Sequence, residues 1–245
     1  MNPNAAPEVV DDGAISGCEY RCLGPAGGTS HDVRDAYLID GPALDAGGLT
    51  AAAGIVLPRH GALRATELLV AGARRVLLGE AALLDSSVVA ALAATFGGER
   101  VGVYVPAVRL QISWSFDTVS NADFKVLTPS VGAPAWEALR ADGTRTGTHA
   151  LWWIGEMLNL GASEALLRVD FHDDADLELC ADCVERFGDR VWIGPLDDVA
   201  PRLDQWTRYG RARRFVLPPP LHAQAIAAAV ASGAEAHDAA IERAA

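Results

Sequence analysis

The densest run of side chains able to move a proton is Asp170-Phe-His-Asp-Asp174, directly after the apolar stretch Ala165 to Val169. A histidine set among carboxylates can serve as an acid/base pair or ligate a divalent metal, so Asp170, His172 and Asp173 are candidate catalytic groups. The same residues equally suit a solvated loop that caps the following helix, because Asp is favoured at N-caps. A second group, Arg59, His60 and Arg64, follows the apolar run Gly54 to Leu57 and concentrates positive charge. It could hold a substrate carboxylate or phosphate through bidentate contacts, with His60 as a further proton-transfer candidate, or it could be neutralised by Glu80. Asp40, Arg109 and Asp197 also stand just past apolar runs. With Arg59, Arg64 and Glu80 they make up the expected substrate-binding set. His222, after three prolines, reads as a residue of a helix start.

Four cysteines fall into two close pairs, Cys18 with Cys22 and Cys180 with Cys183. Such spacing invites a zinc reading. The second pair lies in the helical apolar pattern Leu177, Leu179, Cys180, Cys183, Val184, where cysteine behaves as a small core residue. No metal and no cofactor is expected.

These candidates must be positioned by the elements that precede them. From about residue 55 the chain alternates short β-type runs with amphipathic helical patterns, which predicts repeated βα units and a parallel sheet. The strands are expected at 54–57, 75–78, 101–105, 165–169, 190–193 and 214–217, with a seventh at 36–39 and an eighth at Glu8 to Ile15. Helices are expected at 65–71, 87–96, 150–160, 177–187, 199–209 and 223–245. Only about twenty residues, rich in Gly, separate Ile15 from Ala36, so either the first helix is missing or a barrel would open there. One connection, Leu110 to Gly147, far exceeds the usual ~2–6 residues of a βα loop. Its Trp114, Phe116, Phe124 and Trp136 predict hairpins over the end of the sheet, either functional or an oligomerising decoration.

A chain of 245 residues, half of them hydrophobic, fits one α/β barrel domain over 1–245 better than two small domains. Its net charge of −12 repels phosphate backbones and anionic lipid, which argues against nucleic-acid or membrane partners. Met1 to Val10 lacks the basic and apolar regions of a signal peptide, and no stretch is apolar for long enough to span a bilayer. A cytoplasmic protein is the expectation, with a small metabolite or a partner protein as ligand and a homo-oligomer left open.

The runs Trp136-Glu-Ala-Leu-Arg-Ala-Asp-Gly-Thr-Arg-Thr-Gly147, Ala150-Leu-Trp-Trp through Leu160-Gly-Ala-Ser-Glu-Ala-Leu-Leu167, Asp176-Leu-Glu-Leu179 and Val191-Trp-Ile-Gly194 carry a resemblance. So do Ala71-Gly-Ala-Arg-Arg-Val-Leu-Leu-Gly-Glu-Ala-Ala82, Phe96-Gly and Val101-Gly-Val-Tyr-Val-Pro-Ala-Val-Arg109. Over roughly residues 55 to 222 the chain resembles the histidine-biosynthesis (βα)₈ barrels, HisA/HisF-like. The resemblance implies a TIM-type barrel with its active site at the C-terminal ends of the strands. It also implies an isomerisation or cyclisation of a bisphosphorylated ribotide, with Asp as acid and base after the first and fifth strands.

The sequence departs from that pattern. The fifth-strand position falls on Pro106, which can transfer no proton, and only Asp11 or Asp12 offers itself for the first. The phosphate cradles read Val56-Leu-Pro58, Gly79-Glu-Ala, Gly194-Pro-Leu-Asp-Asp198 and Leu217-Pro-Pro-Pro220. Proline removes a backbone donor and carboxylate repels phosphate. The expectation is a divergent barrel that has lost the ribotide reaction. It would bind or act on another small metabolite with relocated acid/base groups, as an isomerase or a lyase, and the resemblance implies cofactor biosynthesis of the methanopterin type as a setting. A non-catalytic partner-binding subunit and a merely divergent isomerase are the alternatives.

Overall fold

The computed structural model describes residues 17–26, 34, 36–110 and 134–244, with side chains as far as 231. Eight parallel strands close into a barrel. They are β1 (Glu19–Pro25), β2 (Ala36–Ile39), β3 (Gly54–Leu57), β4 (Val76–Leu78), β5 (Val101–Arg109), β8 (Glu164–Arg168), β9 (Val191–Gly194) and β10 (Arg214–Leu217). Each pairs with its neighbour in the order given, and β1 closes on β10 with Glu19 opposite Arg214 and Cys22 opposite Leu217. Two further strands, β6 (Trp136–Leu139) and β7 (Arg145–His149), extend β5 as an antiparallel hairpin. The helices are α1 (Ala46–Ala51), α2 (Ala62–Val70), α3 (Glu80–Leu84), α4 (Ser87–Phe96), α5 (Ala150–Asn159), α6 (Asp174–Phe187), α7 (Leu203–Arg208) and α8 (Pro219–Ala244).

The periodicities of the sequence explain this layout. Strand side chains alternate between two faces. One face feeds the barrel interior with a residue from every barrel strand: Leu23, Tyr37, Val56, Leu77, Tyr104, Leu166, Trp192 and Val216. The other face packs, with residues such as Ile55, Leu78, Val103, Leu167, Ile193 and Phe215, against the helices. Both faces are therefore apolar, as the continuous apolar runs require. Gly54 has a specific place in this packing, since a Cβ there would lie 2.8 Å from Leu77 and 3.2 Å from the Tyr37 ring. The glycine makes room for Tyr37 inside the barrel.

The eighth strand is a correction. It is formed by Glu19–Pro25, not by Glu8 to Ile15, which lies outside the described residues along with Asp11 and Asp12. Four residue pairs to β10 and four to β2 close the ring, so of the two alternatives for the short N-terminal region the open barrel is excluded. The Gly-Pro ending and the charges of Glu-Tyr-Arg-Cys-Leu-Gly-Pro hid the alternation. Cys22 faces the helices while Leu23 enters the interior. Ten residues, 26–35, join β1 to β2, fewer than the dozen or so of a full crossover.

Within the long connection after β5, Trp136 lies in the predicted hairpin, while Trp114, Phe116 and Phe124 fall outside the described residues. Strand β5 also runs to Arg109, past the expected end at 105, because β6 pairs with residues 107–109. No helix among the described residues is long and apolar enough to cross a membrane.

Candidate functional site

The mouth of the barrel, at the C-terminal strand ends, gathers the expected residues into three separate groups. Two positions beyond the interior residues, the strand alternation brings Pro58, Gly79, Pro106, Gly194 and Pro218 to the mouth. None of these can transfer a proton. Arg168, two beyond Leu166, is the charge that this row contributes. Its guanidinium donates to the Pro195 carbonyl at 2.7 Å and to that of Leu196, so it fastens the loop after β9.

The first group lies past β8. Asp170 Oδ1 accepts from the backbone N–H of Leu196 at 2.8 Å, Asp197 at 3.1 Å and Asp198 at 3.0 Å. Successive N–H groups converging on one point form an anion-binding concavity. The chain's own carboxylate occupies it. Asp170 therefore pins a loop rather than standing ready as an acid or base. Asp197 is exposed, and what it adds to the group is its backbone N–H.

The second group joins β5, the hairpin and α6. Asp176, fully buried, accepts from Arg109 Nε at 2.9 Å, Arg109 Nη2 at 2.7 Å, Trp136 Nε1 at 2.8 Å and the His172 backbone N–H at 2.9 Å. Asp173 is the N-cap of α6, accepting from the Asp176 N–H, and it also takes Arg109 Nη2 at 2.6 Å. Desolvation works to raise the Asp173 pKa, but the Arg109 hydrogen bond and charge, together with the backbone N–H groups of Asp176 and Ala175, more than offset it and hold the carboxyl below its ordinary value. The capping role foreseen for this loop is thus filled by Asp173, and Arg109 is spent inside the protein. The His172 side chain is exposed and makes no hydrogen bond or ion pair with another described residue. Trp136 stacks on Phe171 at 5.6 Å and Phe171 on Trp206 at 4.0 Å, tying hairpin, loop and α7 together. A cavity of about 170 Å³ opens beside them, lined by Asp173, Asp174, Asp198, Arg202 and Trp206 among others.

The third group joins the ends of β2 and β3. Asp40, 2% exposed, accepts Arg64 Nη2 at 2.9 Å and Arg64 Nε at 3.0 Å. His60 Nδ1 lies 3.1 Å from the same carboxylate, while the ring is 57% exposed. Burial works to raise the Asp40 pKa. The Arg64 hydrogen bonds and charge, helped by His60, more than offset it, and the carboxyl sits below its ordinary value. The neutralising partner of this cluster is Asp40 and not Glu80. Glu80 instead accepts the Ala141 N–H at 3.3 Å, which brings the hairpin turn to the end of β4. Arg59 is exposed and has no partner among the described residues. His222 sits in the first turn of α8, as its position after the prolines predicts.

Sequence reasoning overlooked Asp176 and Arg168. Asp176 stands just before the helix expected at 177–187 and was noted only within the run Asp176-Leu-Glu-Leu179, and no local signal distinguishes it from a surface residue of α6. Arg168 could have been found, because it falls on the inward phase of an otherwise apolar strand.

Cys180 and Cys183 are buried in α6, and burial pushes both thiols up, Cys183 to about 12. Thiols held protonated in this way are poor metal ligands. Among the described residues no three of His, Cys, Asp and Glu cluster as a metal site would require. Comparison with protein-family models and with curated proteins finds no match for this chain. What stands is a closed (βα)₈ barrel with three internally paired clusters around its mouth.

Proposed function

We propose that this chain is a divergent HisA/HisF-like barrel that acts on a small metabolite other than the bisphosphorylated ribotide. His60 is its proton-transfer group and Asp40 the residue that orients it. The observation that supports this reading is the 3.1 Å contact between a mostly exposed imidazole and a carboxylate that is itself buried and gripped by Arg64. A base oriented by a second, fixed group is the recurring arrangement of acid–base sites. Asp40 accepts from the Nδ1–H, which leaves Nε2 as the acceptor for a substrate proton. Arg59, adjacent and without a partner among the described residues, supplies charge for an anionic substituent. The setting in cofactor biosynthesis that the resemblance implies belongs to this reading as well.

The test is an isomerase and lyase screen of sugar phosphates and related carbonyl compounds, run on the wild type and on His60→Ala. Turnover that disappears in His60→Ala is expected, while turnover that survives in it overturns the assignment. Conversion of the aminoimidazole carboxamide ribotide would instead establish the divergent isomerase and overturn the inference drawn from Pro106.

A second reading, a non-catalytic subunit that supports a partner, is favoured by one observation. Asp170, Asp173, Arg109 and Glu80 are all engaged within the chain. Absence of any turnover, with wild type and His60→Ala indistinguishable, would select it.

A further inference from the structure

The opposite end of the barrel, where the strands begin, has a different electrostatic character. A cavity of about 310 Å³ is lined there by Arg21, Arg34, Arg74, Arg75, Arg100 and Glu99. The chain carries −12 overall, and of its 20 basic residues all but Lys125 are arginines. Five of them meet around this one cavity.

Among the described residues, the carboxylates that meet Arg21, Arg74, Arg75 and Arg100 do not cancel the charge of these four. Arg75 pairs with Glu164 at 2.8 Å and donates to the Glu99 carbonyl at 2.9 Å. Arg21 donates to the Tyr37 hydroxyl at 2.6 Å, and that hydroxyl donates on to Glu164 at 2.7 Å. Glu164 thus stands between two guanidinium groups. Arg100 gives its Nη2 to the carbonyls of Leu69 and Ala73, which are neutral. Arg74 is exposed and makes no hydrogen bond or ion pair with another described residue. Four positive groups therefore face two described carboxylates, those of Glu99 and Glu164.

The geometry is also fixed in advance. The Arg21 guanidinium lies 4.2 Å over the Trp192 ring and 5.2 Å over that of Tyr37, and Arg214 covers Trp192 at 4.1 Å. Stacking immobilises a guanidinium while leaving most of its five N–H groups available. Trp192 Nε1, buried beside Arg21, is a donor without an acceptor among the described residues. Among the described residues, the charged groups lining this cavity offer more donors than acceptors.

We propose that this basin is a binding site for a small multivalent oxyanion, a metabolite bearing phosphate or several carboxylates. Such a ligand supplies the acceptors and negative charge that the site lacks. The fork of an arginine matches either oxyanion, and the volume falls at the small end of metabolite pockets, ~300–1,000 Å³. The site lies at the other end of the barrel from His60, so it is independent of the function proposed above.

The experiment is calorimetric titration of the full chain with pyrophosphate and with citrate at matched ionic strength, repeated on Arg74→Ala, Arg21→Gln and Arg140→Ala. Saturable binding is expected, weakened roughly fivefold to tenfold in Arg74→Ala, as loss of one charge-assisted contact implies. Arg140→Ala, which removes an exposed arginine of the hairpin turn, should bind as the wild type does. Pyrophosphate without citrate would identify the ligand as a phosphate compound, and both would identify a general oxyanion site. Arg21→Gln removes a stacked group and could loosen the barrel, whereas Arg74 is exposed and its variant leaves the core intact. Failure to saturate with either anion, an affinity unchanged in Arg74→Ala, or an affinity lost in Arg140→Ala would overturn the proposal.

Discussion

The two ends of this barrel handle charge in opposite ways. At the mouth, buried Asp40 and Asp176 each hold an arginine in a two-nitrogen grip, and Asp170 fills a concavity of backbone N–H groups. At the other end, Arg21, Arg74, Arg75 and Arg100 meet two described carboxylates, Glu99 and Glu164, around a cavity. Strand ends meet loops at both places, so topology does not explain the difference. The mouth loops carry the acidic runs Asp170 to Asp174 and Asp197 to Asp198, while the bottom receives Arg21, Arg74, Arg75 and Arg100 at the starts of strands. An end whose charges are already paired has little left with which to hold a ligand. An end with surplus donors is incomplete without one.

The sharpest way to break this contrast is Asp176→Ala. It leaves Trp136 Nε1 without its acceptor and Arg109 without its buried partner. A loss of about 3 kcal/mol or more is expected in urea unfolding, because one member of a buried, hydrogen-bonded charge pair is removed. A loss under 1 kcal/mol would mean that the cluster is hydrated and not structural.

Asp170→Ala should cost less, about 2 kcal/mol, the value of a charge-assisted network on one carboxylate. It also makes the mouth more like the bottom, since the N–H groups of residues 196–198 lose their acceptor. Hydrogen exchange should show these amides losing protection, with phosphate restoring it. Amides that stay protected in the variant would contradict the role given to Asp170.

Acid should separate the ends further. The folded pKa of Asp40 lies below its ordinary, unfolded value of ~3.9. The unfolded chain therefore takes up the proton first, and stability rises with pH across that window. The contribution is complete above the ordinary value and is lost as pH falls through it toward the depressed one. Thermal unfolding followed between about pH 6 and pH 3 should show an acid limb that flattens in Asp40→Asn. An identical limb in the variant would remove Asp40 from the account. The arginines at the other end stay charged throughout.

The smallest effect is expected for His60→Ala. The ring is more than half exposed, so stability should change by no more than about 0.5 kcal/mol. Nitrogen-detected NMR of the wild type should find the neutral His60 ring in the Nδ1–H form. The Nε2–H form would remove Asp40 as its orienting partner.

Much of the scaffold was legible because period and apolarity are local properties. Strands β2, β3, β4, β8, β9 and β10 lie within a residue of their expected places, and the α2, α4, α5 and α6 patterns all became helices. Short helices α1 and α3 escaped because five or six residues carry too little periodicity to read. Strand β1 escaped for another reason: its inward Arg21 is polar, and it is tolerated only because Tyr37 and Trp192 receive it. At the mouth, the sequence placed Asp40, His60, Arg64, Arg109, Asp170 and Asp173 past strand ends but could not say which of them meet. Neutralisation by Glu80 was one of two readings for the group containing Arg64, whereas its partner is Asp40, twenty-four residues away. Arg109 reaches Asp176 across sixty-seven positions.

By itself, then, the sequence determined the alternation of strands and helices, a proline at position 106 of the fifth strand, and the excess of acid over base. These depend on residue type and on spacing within a single element. Tertiary structure alone decided that the ring closes through Glu19–Pro25, that Asp170 occupies its own chain's anion cradle, and that five scattered arginines converge on one cavity. Closing the barrel brings the first strand against the last, and that step joins charges whose separation along the chain contains no trace of their meeting.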